Sequence, residues 1–294
     1  MSPAPRYNPL DRADAAVGSR RMKVDYVPLL ERMREFYRMP RAPERFQEFL
    51  RIGLTPDRQD VALPPFLSLN PMAREHVSAL IDDYLALDGD RIAAESAASL
   101  LPRLAEFPGR CRLALTVLDD LKGGWTNRFS CEYETRFGVT GEGRPQANPR
   151  PGSTRRGWIA APLWSTEPAA ATRIRESIGC VLFRAAYVDR HGPAQSLREK
   201  LAQEGWVMAQ AGCAGPTLDA DDLDYSRQVL KPFLEVRDTR TGIECLFGDA
   251  AGATLGFTPR GLSAWAGLAV ALADARQACA GSRSAATMAC STGE

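Results

Sequence analysis

The thirteen residues WTNRFSCEYETRF, Trp125 to Phe137, decide how the middle of the chain is read. They alternate. Trp125, Asn127, Phe129, Cys131, Tyr133, Thr135 and Phe137 fall on one side, and Thr126, Arg128, Ser130, Glu132, Glu134 and Arg136 on the other. A period of two with one apolar side predicts an antiparallel strand whose polar face is wet or lines a site. Upstream, Arg112 to Leu118 reads as a strand, and Lys122-Gly123-Gly124 as the turn between the two. Downstream, the Gly-, Pro- and Arg-rich run Val139 to Gly157 reads as a long loop. Trp158 to Trp164 is then a third strand, which Pro162 confines to an edge or a bulge. Gly242 to Phe247 offers a short fourth. The expected fold class is α+β, mostly helical, with a small antiparallel sheet of three to four strands in the middle of the chain.

Outward from the sheet, helical spacing dominates. Val27 to Tyr37, Glu44 to Ile52 and Asp90 to Glu106 carry apolar residues every three to four positions. Asn70-Pro71 supplies an N-cap and a first-turn proline for a helix through Leu85. Beyond the sheet, helices are expected from Thr166 to about Arg190, from Ala194 to Glu204, from Asp219 to Glu235, and from about Ser263 to Ala278. The organisation that follows is a flexible arm over 1–21, a single α+β domain over 22–279 and a disordered tail over 280–294. Within the domain, 22–106 is helical and 107–279 holds the sheet and further helices.

A net charge of +1, with 45% apolar and 25% charged residues, describes an ordinary soluble protein and argues against nucleic acid or a polybasic membrane surface as partner. The charge-free run Gly261 to Ala273 is shorter than the ~20 residues of a membrane helix. The first 21 residues have no apolar signal-peptide core. The seven cysteines form no C-x-x-C pair. Reduced thiols, a cytoplasmic location and no metal are expected. No cofactor fingerprint is present, so the cofactor stays unknown. Of the 37 basic residues only four are lysine, a bias that a GC-rich coding sequence also produces.

Chemistry concentrates on the helix after the sheet. One apolar stripe runs through Ile174, Ile178 and Val181. A second stripe carries Arg173, Cys180, Arg184, Tyr187 and His191. Arg184, Arg173 and Arg128 are candidate anion clamps, with Asn127 as a further substrate-binding residue. His191 and Tyr187, one turn apart, are candidate proton movers, with Glu132 or Glu134 as carboxylate partner. The competing reading of every one of these is structural: a solvated helix face, a wet sheet face with ion pairs, or a core asparagine satisfied by backbone. Asp119-Asp120 is either a turn or a metal-binding pair. Gly248, Gly252 and Gly256 are close packing or a turn rather than a phosphate loop. The arginines of the 138–157 loop are either a lid or plain loop.

Two functions stay open. The first is an enzyme that binds a small anionic substrate between the sheet and the 167–190 helix. In that case Arg184→Ala leaves folding largely intact and abolishes ligand binding. The second is a non-catalytic helical interaction protein or accessory subunit, with a protein partner or a second copy of itself. Redox sensing through Cys180 is a third possibility, and it fails if that thiol is buried and unreactive.

Overall fold

Two nearly continuous apolar runs build the sheet. β2, Arg110–Leu118, is buried from Leu113 onward, and almost every residue of β3, Trp158–Trp164, is buried as well. Strands covered on both faces read as such runs rather than as alternation, and they belong to parallel sheets. The computed structural model describes residues 22–107, 110–121, 125–138 and 157–291, with side chains as far as Ala280. The expected arm 1–21, the Lys122-Gly123-Gly124 turn, residues 139–156 of the expected lid and the side chains of the expected tail beyond 280 lie outside the described residues.

The sheet has three strands in the order β1-β2-β3, where β1 is Lys23–Tyr26. All pairings are parallel, with Lys23 opposite Arg110, and Arg112 to Leu118 opposite Trp158 to Trp164. This overturns the expected antiparallel sheet. A hairpin would need consecutive strands joined by a tight turn. Here the chain makes a helical crossover between β2 and β3, as parallel neighbours require. Pro162 lies on an edge strand, where a missing ladder donor is tolerated.

The crossover helix, α6, is the stretch expected as a strand: Arg128–Phe137. Both periods fit its letters. Phe129, Tyr133 and Phe137 recur every four residues, and so do Arg128, Glu132 and Arg136. Asn127 decides between the periods. Its side chain accepts a hydrogen bond from the Ser130 N–H at 3.0 Å and caps the helix. Asn127 is therefore no core asparagine on a sheet face. The expected fourth strand is also helical: Thr239–Phe247 is capped by Asp238, which accepts from the Thr241 N–H.

Before β2 run α1 (Leu30–Tyr37), α2 (Pro43–Gly53), α3 (Pro64–Leu67), α4 (Glu75–Ala86) and α5 (Gly89–Leu100). α4 starts at Glu75 rather than at Pro71. Asn70 instead accepts from Met72 N–H in a local turn and donates to Asp119 across 2.7 Å. After β3 come α7 (Ala171–His191), α8 (Leu197–Ala211), α9 (Ala220–Leu230), α10 (Thr239–Phe247), α11 (Asp249–Thr254) and α12 (Ala266–Ser291). No helix among the described residues is long and apolar enough to cross a membrane.

The apolar interior forms two clusters. One joins the sheet to α1, α3, α4, α5 and α7, around Leu30, Phe66, Ile81, Leu115 and Leu182. The other joins α6, α8, α10 and α12, around Tyr133, Leu246, Phe247 and Leu268. Cys180 and Ala211 pack against both, so α7 and the end of α8 form the seam between the two cores.

Candidate functional site

Because the strands are parallel, the carboxyl ends of β2 and β3 share one rim, which is where open α/β sheets bind ligands. At that rim Asp120 follows β2 and accepts bonds from Ser165 Oγ at 3.0 Å, Thr166 N–H at 3.0 Å and Thr166 Oγ1 at 2.7 Å. Asp119, buried beside it, takes Asn70 Nδ2 at 2.7 Å and contacts His76 Nε2 at 2.9 Å. Burial alone would raise the Asp119 pKa. The His76 and Asn70 hydrogen bonds outweigh it and hold the carboxyl below its ordinary value. The Asp119-Asp120 pair thus ties two strand ends together. Among the described residues no group of three or more His, Cys, Asp or Glu is arranged to hold a metal ion.

From Asp120 a chain of alternating charges runs inward along α6. Arg128 bonds Asp120 Oδ2 at 3.4 Å, Glu132 Oε1 at 3.0 Å and Glu167, and its guanidinium lies between the Trp164 and Trp265 indoles, 5.0 and 5.2 Å from their centres. Arg136 grips Glu132 Oε2 through Nε at 3.2 Å and Nη2 at 2.8 Å, and also bonds Glu204. Glu204, fully buried on α8, receives Arg184 in a bidentate pair, Nε to Oε1 and Nη2 to Oε2, both 2.8 Å. Helical spacing makes the ladder possible, since Arg128, Glu132 and Arg136 stand one turn apart on one face. Burial would raise the Glu204 carboxyl, but the two guanidiniums overcome this and hold it at about 2. The same carboxylates raise Arg136 against its own desolvation.

Beside the ladder lies a cavity of about 690 Å³ between α6, the end of β3, α7 and the loop after α8. Arg128, Glu132, Arg173 and Arg184 all line it. Arg173 differs from the other three arginines of the wall. Its side chain is 47% exposed and its one ion pair among the described residues is a 3.3 Å contact with Glu167. Thr135 also lines the cavity, and its buried hydroxyl has no hydrogen-bond partner among the described residues.

Cys180 of α7 and Cys213 of the loop after α8 line the same cavity with their sulfurs 3.4 Å apart. Three features fix Cys213 there. Gly212, at φ +71°, closes α8 in the left-handed conformation, Arg276 Nη2 donates to the Cys213 and Ala214 carbonyls, and Glu176 accepts from Ala214 N–H at 2.9 Å. Gly179 lets α8 approach, because a Cβ at that position would meet the Ala211 Cβ at 2.9 Å. Cys180 is half-buried rather than sealed. The hydrogen bond from Cys213 lowers its pKa most. Arg184 and Arg136 lower it further, against the effect of burial. Its contact with Cys180 and its own burial push the Cys213 thiol upward.

Tyr187 and His191 are not among the cavity-lining residues. Their rings pack together at 4.5 Å near the end of α7, and Tyr187 also meets Trp206 at 5.5 Å. Glu134 does not line the cavity either. Nor does it point the same way as Glu132, because neighbours two apart on a helix diverge by about 200° whereas on a strand they align. Asn127 caps α6 and reaches Thr254 Oγ1 at 3.3 Å, and is likewise absent from the wall. Arg184 lines the cavity, but its Nε–Nη2 edge is committed to Glu204. The sequence reading passed over Arg136, Glu167, Glu204 and Cys213. Arg136 and its i+4 partner Glu132 were visible as letters once the stretch is wound as a helix. Glu204 and Cys213 come from distant segments and carry no local signal. Comparison of the chain with protein-family models, with curated proteins and with solved structures gives no match.

Proposed function

We propose that the chain is an enzyme acting on a small anionic molecule in the cavity between β3, α6 and α7, with Cys180 as its nucleophile. The observation that carries this reading is Cys180, a half-buried residue beside Arg136 and Arg184 on the wall of a cavity that also holds Arg173, paired among the described residues through one 3.3 Å contact. A thiolate is the reactive form of cysteine, and neighbouring cations favour that form. Arg173 is the anchor for a carboxylate or phosphate, since it keeps donors that Arg136 and Arg184 spend on Glu204. The Thr135 hydroxyl stands ready for a polar group of the substrate. Cys180 takes the catalytic role in place of His191 and Tyr187, which do not line the cavity. A reducing compartment such as the cytoplasm suits an enzyme that depends on a free thiol.

The test is alkylation by iodoacetamide, followed peptide by peptide. Cys180 is expected to label at least tenfold faster than the buried Cys111 and Cys245 at neutral pH. Inorganic phosphate or succinate should slow Cys180 selectively, and Arg173→Gln should remove that protection. Labelling of Cys180 no faster than the buried thiols, or untouched by either anion, overturns the proposal.

A second reading rests on a different place. α8, α9 and α12 enclose an apolar groove of about 540 Å³ lined by Trp206, Leu230, Leu234, Val270 and Ala271. A non-catalytic interaction protein would use such a surface for a partner chain. A specific oligomer in light scattering, together with an inert Cys180, would favour it.

A further inference from the structure

We infer that Cys180 and Cys213 form a reversible dithiol–disulfide couple that switches the cavity between an active and a blocked state. The pairing rests on geometry alone. What it regulates rests on Cys180 being the working group.

The two sulfurs are already in contact at 3.4 Å, although 33 residues separate them in sequence. Their approach is built rather than incidental. The absent side chain at Gly179 lets the end of α8 close on α7. Gly212 then turns the chain, and Arg276 and Glu176 hold the next two residues in place. A disulfide needs such closeness of the two backbones before it can form without strain. Both residues line the cavity of about 690 Å³.

The electrostatics divide the labour. Cys180 lies beside Arg136 and Arg184, which favour its ionised form, so it is the attacking sulfur, and Cys213 in contact with it is the resolving one. With hydrogen peroxide as oxidant, the Cys180 sulfur attacks one oxygen, the O–O bond breaks, and hydroxide leaves. Cys213 gives its proton to that hydroxide, forming water. The Cys213 thiolate then attacks the sulfenic sulfur of Cys180, the S–S bond forms, the S–O bond breaks, and a second hydroxide departs. Two thiol sulfurs are oxidised and one peroxide is reduced. A dithiol reductant restores the pair by exchange. The disulfide consumes the nucleophile and pins the loop after α8 to α7.

The experiment treats the full-length protein with one equivalent of hydrogen peroxide, blocks the remaining thiols and maps the peptides. The expected result is a Cys180–Cys213 crosslinked peptide, loss of two of the seven thiols, and full return of both on adding dithiothreitol. Cys213→Ser should instead leave Cys180 trapped as a sulfenic acid that dimedone labels. Should that variant fail to fold, the wild-type map alone decides. Cys180 oxidised to sulfinic acid with Cys213 still free, or neither residue oxidised, overturns the inference. The two proposals fail separately. Anion protection of Cys180 without a crosslink sinks the couple and leaves the enzyme reading standing. A crosslink without anion protection sinks the enzyme reading and leaves the redox pairing standing without the activity it would switch.

Discussion

At the scale of single residues, Arg184 shows how burial changes the meaning of a side chain. On a helical wheel it is a free guanidinium facing a pocket, and its removal would then cost only ligand binding. In the fold it is 6% exposed and holds both oxygens of Glu204, which is fully buried. Removing one partner of a buried pair leaves a desolvated charge behind, at a cost of about 3–5 kcal/mol. Arg184→Ala is therefore expected to lower the urea midpoint sharply. Arg173→Gln, at a half-exposed position, should change stability by no more than about 0.5 kcal/mol. Equal and small effects of both substitutions in urea melts would refute the structural role given to Arg184. Glu204 shows the limit of local reading. It is one acidic letter on an amphipathic helix, and only the approach of α6 and α7 turns it into the anchor of two arginines.

At the scale of elements, Trp125 to Phe137 shows how one stretch can satisfy two periods. Alternation of seven against six residues is real in the letters, yet residues four apart also match in type. The helix wins because Asn127 caps it and the Arg128–Glu132–Arg136 pairs close on one face. The neighbouring element pair α8 and α12 depends on a different device, the absence of a side chain. A Cβ on Gly205 would lie 2.3 Å from the Ala271 carbonyl oxygen. Alanine is the better helix former by about 1 kcal/mol, so propensity predicts that Gly205→Ala stabilises. Backbone contact predicts the opposite, with a net loss of about 1–3 kcal/mol as the two helices are forced apart. A denaturant series on this one variant separates the two: a raised midpoint would mean that the crossing is looser than described.

At the scale of the whole molecule, the Glu204 network joins α6, α7 and α8 across the seam between the two apolar cores, so its charge state bears on global stability. The Glu204 carboxyl, held at about 2 when folded, titrates near the ordinary glutamate value when unfolded. A folded pKa depressed in this way stabilises above the unfolded value and is lost as pH falls through the folded one. The contribution is about 3 kcal/mol at neutral pH, declining between about pH 4.5 and about pH 2. Urea midpoints measured across that window should fall steeply for the natural chain and less for Glu204→Gln, which starts lower. Identical slopes for the two would place the acid sensitivity elsewhere. By itself, the sequence determined that the chain is mainly helical, that Arg112–Leu118 and Trp158–Trp164 are strands, and that Pro162 needs an edge or a bulge. Those features come from periodicity, apolar runs and a missing donor, all of which act over a few residues. It nominated Arg128, Arg173, Arg184 and Glu132, whose side chains line one cavity, but gave no sign of Glu204 or Cys213. Only the tertiary structure decided the direction of the strands, the partner of each arginine and the meeting of Cys180 with Cys213. Each of these depends on segments far apart in the chain being brought together by burial, and no local pattern of residues encodes that closure.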